Sequence, residues 1–275
     1  MLLIDAHVHI HDCYDPVKFF EHAYDNLKAS AVSAIGSTEF TGVLMLAESA
    51  GEDNFNRFGQ AADLTNSHGK PGRYGSWFFT KTDEDNSIIV SDGERKLILI
   101  AGHQISAAED LEVLMLGTTE KIKDGLSIFD LLDKARDLDA LRVIPWGAGK
   151  WLFSRGELLK KIIDSMETND FFLGDEGGRP IFWPTPRHFN YAARKGIRNL
   201  PGTDPLPFPW EVNRAGTFGC LLQAPIDWAM PAISILNAIR NPDTTFSRFG
   251  TLETPFRFFH NQFKMQKRKR AKAYI

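Results

Sequence analysis

Two histidines separated by one residue, His7 and His9, directly follow an apolar run at residues 2–4. On an extended strand, side chains two residues apart point to the same side. Two imidazoles on one side can share a divalent ion, and zinc, manganese and iron all accept imidazole nitrogen. The pattern predicts a metal site with His7 and His9 as ligands, and Asp5 behind them could orient a ligand. The alternative interpretation is a pair of surface histidines at a strand end.

A second chemical motif comes late in the chain, where Gly202-Thr203-Asp204 precedes Pro205. An aspartate after a late strand, facing an early pair of histidines, can ligate the same metal and accept a proton from water. We therefore predict Asp204 as a metal ligand and a catalytic residue. The competing interpretation is an Asx turn before the proline.

Two further polar residues follow apolar strand-like runs. Glu48 comes after GVLMLA and is predicted either as a carboxylate ligand of the metal or as a charge at a helix N-terminus. His103 comes after LILIAG and is predicted either as a catalytic residue or as a hydrogen-bonded structural histidine.

Positive and aromatic side chains near other strand ends suggest how a substrate would be held. Lys150 is a candidate catalytic residue and Arg179 a candidate substrate ligand, because either could neutralise a phosphate or carboxylate; both could equally be solvated loop charges. Trp146 would give the site an aromatic wall, or lie in the core. Glu176 is predicted to contact substrate, although Asp175 beside it points the opposite way on a strand, so only one of the two should face the site.

The elements that would position these residues alternate along the chain. Short apolar runs predict buried strands, and amphipathic stretches between them predict helices, the first opened by Asp15-Pro16 as N-cap and first helical residue. Such alternation favours a parallel α/β sheet. Because polar residues follow nearly every predicted strand, we expect a TIM-like (β/α) barrel with the site at the carboxyl ends of its strands.

Composition limits the classes of function. The chain has 275 residues, 43% of them hydrophobic, and a formal net charge of −3, which argues against nucleic acid or an acidic membrane as the partner and favours a small-molecule substrate. Two isolated cysteines, Cys13 and Cys220, give no disulfide framework, and no signal peptide or membrane span is visible. We expect a cytoplasmic protein with one domain at residues 1–263, an insertion at about 51–95, and a basic tail at 264–275; the sequence leaves the oligomeric state open.

These motifs resemble those of a known family. LLIDAHVHIHD is similar to the opening of the PHP (polymerase and histidinol phosphatase) family and, more distantly, of the amidohydrolases. LILIAGHQIS with LEVLMLG resembles the middle of the PHP pattern, and NLPGTDPLPF resembles its late motif. The resemblance implies a distorted seven-stranded barrel and a metal-dependent hydrolase, most simply a phosphoesterase.

The same resemblance carries over residue by residue only in part. His7, His9 and Asp204 match the family's ligands, and Glu48 could substitute for another. Gln104 stands where the family has glutamate, and Glu112 and Leu206 stand where it has histidines. The resemblance therefore implies one or two metal ions rather than the family's three.

Three alternative functions remain open. An amidohydrolase-like chain would cleave an amide or lactone, and a barrel that has lost catalysis would act as a binding protein. A basic cluster in the C-terminal segment could bind nucleic acid or an anionic surface, although a solvated tail is the simpler interpretation. Its members are Lys264, Lys267, Arg268, Lys269, Arg270 and Lys272.

Overall fold

The computed structural model of the protein describes residues 1–68, 72–166 and 168–273. It has twelve strands in these ranges: β1 (Leu2–Val8), β2 (Thr41–Leu46), β3 (Arg73–Tyr74), β4 (Trp77–Lys81), β5 (Ser87–Ser91), β6 (Lys96–Ile100), β7 (Gly102–Ser106), β8 (Glu112–Leu116), β9 (Leu141–Pro145), β10 (Phe171–Gly174), β11 (Phe218–Leu222) and β12 (Phe246–Gly250). The α-helices there are α1 (Pro16–Ile35), α2 (Asn54–His68), α3 (Ile128–Asp137), α4 (Phe153–Ser165), α5 (Arg187–Arg194), α6 (Pro231–Arg240) and α7 (Pro255–Ala273).

The first helix begins where the sequence predicts. Oδ1 of Asp15 accepts hydrogen bonds from the backbone N–H groups of Val17 and Lys18, at 2.9 and 3.3 Å, and Pro16 occupies the first helical turn. Gly36 ends α1 with a φ of 65°, a left-handed conformation that glycine adopts at little cost. The predicted N-cap is confirmed.

The strands form two open sheets, so the predicted TIM-like barrel is wrong, and so is its distorted seven-stranded form. One sheet has eight strands in the order β12-β11-β1-β2-β6-β5-β4-β3, and the other has four in the order β10-β9-β8-β7. Among the paired strands of the described residues, neighbours are parallel only at β1–β2, β2–β6 and β9–β10. A parallel barrel needs a crossover between successive strands. Here β3 to β6, and β7 to β8, follow one another through short antiparallel connections, which leave no room for crossover helices.

Apolar faces on both sheets explain how the layers pack. One buried cluster joins side chains from both sheets, among them Ile4, Val43 and Phe172, with residues of α6. A second packs the other face of the larger sheet against α1 and α2, and a third packs the smaller sheet against α3, α4 and α5. Isolated bridges Glu48↔His103 and Glu176↔Gly202 bring the ends of several strands together.

The two segments that the sequence sets apart have their own structure. Within residues 51–95, the strands β3, β4 and β5 extend one edge of the larger sheet, and α2 packs against its face. The basic segment continues α7 to Ala273, and residues 274–275 lie outside the described residues. The domain boundaries stay a prediction. No helix in the described part of the chain has the length and apolarity needed to cross a bilayer.

Candidate metal centre

Four side-chain atoms converge at the end of β1. Nε2 of His7 lies 3.1 Å from Nε2 of His9 and 2.8 Å from Oε1 of Gln104. The same Oε1 of Gln104 lies 3.3 Å from Nε2 of His9. Oδ1 of Asp204 lies 3.7 Å from both Nε2 atoms. Ligands at about 2.0–2.1 Å from a tetrahedral ion lie about 3.3 Å apart. The spacing of these atoms therefore matches a tetrahedral donor set of two imidazoles, one carboxylate and one amide oxygen.

The far nitrogen of each imidazole contacts a carboxylate. Nδ1 of His7 lies 3.0 Å from Oε1 of buried Glu176, and Nδ1 of His9 lies 3.2 Å from Oε2 of Glu52. When both carboxyl groups are ionised they only accept, so each imidazole in its neutral form donates from Nδ1 and presents the lone pair of Nε2 to the other three atoms. A metal-binding histidine is commonly oriented in this way by a carboxylate behind it.

Glu52 also joins a second group of potential ligands. Its Oε1 lies 2.7 Å from Nδ1 of His11, and its Oε2 accepts a hydrogen bond from the N–H of Ser49 at 2.8 Å. His9, His11 and Glu52 could hold a metal ion, as could His7, His9 and Asp204. Nε2 of His11 is 2.9 Å from the carbonyl oxygen of Pro205, to which it donates, so His11 also fixes the loop that carries Asp204.

Asp5 holds Asp204 in place through the backbone. Its Oδ1 accepts from the N–H of Thr203 at 2.9 Å, and its Oδ2 accepts from the Thr203 hydroxyl at 2.6 Å and from the N–H of Gly216 at 2.8 Å. Asp204 has a φ of 48°, and its N–H donates to the carbonyl oxygen of His7 at 2.9 Å. Aspartate is one of the few residues that tolerate this left-handed conformation, which turns the carboxylate toward the histidines.

Burial and charge together set the protonation of these groups. Burial lowers the pKa of His7, but the carboxylates of Glu176 and Asp204 raise it more strongly, to about 10. Burial raises the pKa of Glu176 to about 8, and His7 offsets this only in part. Burial also raises the pKa of Asp204, but His7, His9 and Lys150 bring it below its ordinary value. For Glu52, hydrogen bonds from His11 and His9 outweigh burial and lower the pKa. At neutral pH the centre therefore holds a proton on His7 and negative charge on Asp204 and Glu52, and a divalent cation bound among the four atoms would displace that proton.

A cavity of about 80 Å³ lies beside Asp204, with room for several water molecules. Trp146, Gly147, Glu176 and Thr203 are among the residues that line it. Oε2 of Glu176 is buried and has no hydrogen-bond partner among the described residues. The predicted residues Trp146 and Glu176 are thus at the site, and Glu176 holds His7 as well as lining the cavity.

Lys150 lies next to Gly147, one of the residues that line this cavity. Its side chain packs directly on Gly147. A Cβ atom at position 147 would lie only 2.6 Å from Cδ of Lys150, so the contact requires glycine there. Its ammonium group forms an ion pair with Glu112 on β8. About 30% of the Lys150 side chain is exposed.

Three other predicted residues lie away from the convergent atoms. Oε1 of Glu48 accepts from the N–H groups of Asn54 and Phe55, at 2.5 and 3.0 Å, so this carboxylate caps α2. This placement agrees with the helix-terminal interpretation rather than with metal ligation. Burial raises the pKa of Glu48, and these two hydrogen bonds only partly oppose it.

Arg179 forms a bidentate ion pair with Asp175, at 2.8 and 2.9 Å, and only 3% of its side chain is exposed. Its guanidinium is therefore committed to the protein rather than open to substrate. His103 follows Gly102 on β7 and is buried, with Nε2 unpartnered among the described residues. Because adjacent strand residues point to opposite sides, the neighbour Gln104 faces the centre and His103 faces away.

Gln104 and Glu52 are the site residues that sequence reasoning missed. Gln104 stands where a family ligand is expected, and its amide oxygen still reaches the centre. Glu52 lies in the loop between β2 and α2, four residues after Glu48. Glu48 and Glu52 are both carboxylates in the loop after β2, so the sequence marks them equally as candidate ligands. Only the path of the loop decides which of the two contacts a histidine of the centre.

Comparison with known proteins supports the fold alone. No family model and no curated protein matches the chain. Among solved structures, the chain is similar to PsfC from Pseudomonas syringae PB-5123, with a TM-score of 0.54 and 11% identity over 96% of this chain and 98% of that one. Endonuclease Q, in complex with a 27-mer duplex substrate that carries an abasic lesion, gives a TM-score of 0.49 and 14% identity, over 86% of this chain and 55% of that one. The first likeness shows a shared fold, and the second is too weak to add to it.

Proposed function

We propose that the protein is a metal-dependent hydrolase of phosphoesters. The observation that carries the proposal is the convergence of His7, His9, Gln104 and Asp204, in which the two Nε2 atoms lie 3.1 Å apart and each lies 2.8–3.7 Å from both side-chain oxygens. When the imidazoles are neutral and both Nδ1 atoms donate to carboxylates, these four atoms are all electron-pair donors. Such an arrangement is repulsive unless a cation lies among them, either a proton on His7, whose pKa is raised to about 10, or a metal ion. Two imidazoles with two oxygens suit zinc, manganese or iron better than magnesium or calcium.

Each residue of the centre would have its own role in hydrolysis. His7, His9, Gln104 and Asp204 would hold the ion, with Glu176 and Glu52 fixing the two imidazoles. A divalent ion bound here supplies water of lowered pKa and positive charge beside the phosphoryl oxygens. As the water oxygen forms its bond to phosphorus, Asp204 takes the proton that the water loses. The P–O ester bond breaks, and the leaving alkoxide takes a proton from solvent.

Lys150 supports a phosphoester as the substrate. Its positive charge contributes to the lowered pKa of Asp204, so it acts electrostatically on the candidate metal centre. A positive group in this position stabilises negative charge on phosphoryl oxygens as the reaction proceeds. The resemblance of the HxH and GTD segments to PHP sequences points to the same class of reaction.

Metal content is the first test. Elemental analysis of the purified protein, before and after zinc, manganese or iron titration, is expected to give about one equivalent or more for the wild type. The His7→Ala/His9→Ala variant should bind none, and His22→Ala, which replaces an exposed histidine on α1, should bind as the wild type does. A wild-type protein that takes up no metal would overturn the proposal and favour a binding protein without catalysis.

Substrate class is the second test. The metal-loaded protein is expected to hydrolyse p-nitrophenyl phosphate or bis(p-nitrophenyl) phosphate, and the double variant should be inactive. Hydrolysis of p-nitrophenyl acetate or a p-nitroanilide, with no action on either phosphoester, would instead identify a hydrolase of carbonyl compounds. That result would keep the metal centre and reject the phosphoester assignment.

A further inference from the structure

Positive charge is concentrated in the C-terminal segment. Residues 254–275 carry seven lysines and arginines and no aspartate or glutamate, while the whole chain has a formal net charge of −3. The remainder of the chain is therefore strongly negative, and α7 is the cationic element of an acidic protein. Side chains of Lys269 and of residues 271–275 lie outside the described residues, but Lys267 and Arg270 are exposed.

One side of α7, here called the α7 outer face, joins these charges to exposed rings. Its members recur at helical spacing over four turns: Phe256, Phe259, His260, Phe263, Lys267 and Arg270. The side chains of Phe256, Phe259 and Phe263 are 85%, 60% and 69% exposed. The opposite side of the helix buries Phe258 and Asn261. The outer face is thus aromatic in its first half and cationic in its second.

Rings from other segments widen this face. Trp210, 42% exposed, lies 5.3 Å from the ring of His260 and stacks on Phe208 at 4.7 Å, with Nζ of Lys264 above it at 5.9 Å. On the other flank Phe182 stacks on Phe259 at 5.6 Å. Flat rings with exposed faces beside cations are the groups that bind single strands, by stacking bases and pairing phosphates.

The α7 outer face adjoins the cavity beside Asp204. An open groove runs along it, lined by Phe259, Gln262, Phe263, Gln266, Lys267 and Arg270. Gln262 also lines the cavity beside Asp204, with Phe258 and Asn261 from the buried side of the helix. A polymer lying along the groove would therefore pass the mouth of that cavity.

We propose that the α7 outer face binds single-stranded nucleic acid and presents its phosphodiester backbone to the metal centre. This inference rests on the proposed phosphoesterase function and names its substrate class. A polyanion is the occupant because the face is cationic on an acidic protein, and a nucleic acid because the apolar contribution comes from rings. A membrane-bound helix would instead keep one apolar side along its whole length, and the second half of this face is polar and charged.

Binding of a fluorescein-labelled single-stranded oligonucleotide to the full chain, measured by anisotropy in excess EDTA, tests the proposal without catalysis. The wild type is expected to bind, and Phe259→Ala/Phe263→Ala should weaken binding about tenfold or more for each ring. Lys267→Gln/Arg270→Gln should reduce the slope of log K against log salt by about 1.4. Matched controls on α4 are Phe153→Ala, which replaces a ring that is 88% exposed, and Lys160→Gln/Lys161→Gln; both should bind as the wild type does.

Other results of this experiment would reject the binding surface or the phosphoesterase function separately. Absence of oligonucleotide binding, or equal losses in the controls, would overturn the proposal, as would binding to phosphatidylserine vesicles in place of the oligonucleotide. Hydrolysis of bis(p-nitrophenyl) phosphate does not require the α7 outer face. If it persists without oligonucleotide binding, only this inference fails. If the oligonucleotide binds but no phosphoester is cleaved, the proposed function fails and the binding surface stands.

Discussion

The hydroxyl of Thr203 donates a 2.6 Å hydrogen bond to Oδ2 of Asp5, a residue 198 positions earlier in the chain. The N–H of Thr203 donates to the other oxygen of the same carboxylate, so Asp5 holds both groups of the residue that precedes Asp204. Asp5 is fully buried, on the strand that carries His7. This contact fixes the distance between the early histidines and the late aspartate of the metal centre.

Asp5→Asn should therefore weaken the centre without removing a ligand. An amide nitrogen cannot accept from Thr203 or Gly216, which leaves buried donors unpaired and costs about 1–3 kcal/mol in the free energy of unfolding. Loss of a group that positions a ligand should also lower metal affinity about 10- to 100-fold. Denaturant unfolding and competition with a metal chelator measure the two effects. Asp25→Asn, at an exposed position on α1, is the control, and unchanged affinity in Asp5→Asn would reject the positioning role.

Substitutions of Gln104 should change the metal affinity in both directions. Gln104→Glu replaces a neutral amide oxygen with a carboxylate at the same place and is expected to bind divalent metal more tightly because it adds negative charge. Gln104→Ala should bind more weakly, since one of four donors is lost. Chelator competition gives both affinities, with Gln60→Glu on the exposed side of α2 as the control. If all three variants bind alike, Gln104 is not a ligand.

Glu48 should affect stability in a pH-dependent way and leave metal binding unchanged. Burial raises its folded-state pKa above the ordinary value of 4.5, so its favourable contribution to stability is fully present below about 4.5 and is lost as pH rises through the folded value. The side-chain amide oxygen of a Glu48→Gln variant would accept from the same N–H groups without titrating.

The free energy of unfolding of the wild type, relative to Glu48→Gln, should therefore fall as pH rises from about 4 to 7. Urea unfolding at several pH values measures this difference. A constant difference across the range, or loss of bound metal in Glu48→Gln, would contradict the capping role.

Arg179→Met should destabilise the fold rather than weaken substrate binding. The change leaves Asp175 buried with only Arg248, 3.5 Å away, as a partner among the described cations. Breaking a buried pair from one side costs about 3–5 kcal/mol, whereas replacing both partners can be nearly neutral. Asp175→Leu/Arg179→Met should therefore regain stability in denaturant unfolding. Arg187→Met, on the exposed side of α5, is the control. A raised KM with normal stability would instead restore Arg179 as a substrate ligand.

Local sequence determined the parts of this protein that depend on neighbours along the chain. The period of two in extended backbone brings His7, on β1, and His9, just after β1, to the same side, and the N-cap chemistry of Asp15 starts α1. The GTD segment carries an aspartate that tolerates a left-handed conformation, as Asp204 shows. Each of these follows from backbone geometry over a few residues.

Tertiary structure alone decided the rest. Periodicity marks a strand but not its direction, so the antiparallel pairing of β7 with β8 and of β1 with β11, which excludes a barrel, was invisible in the sequence. The path of one loop sends Glu48 to the start of α2 and Glu52 to His9, although both are glutamates after the same strand. Arg179 was neutralised by Asp175, a neighbour chosen by packing. Strand direction, loop path and ion pairing all depend on contacts between distant segments, which local residue patterns do not encode.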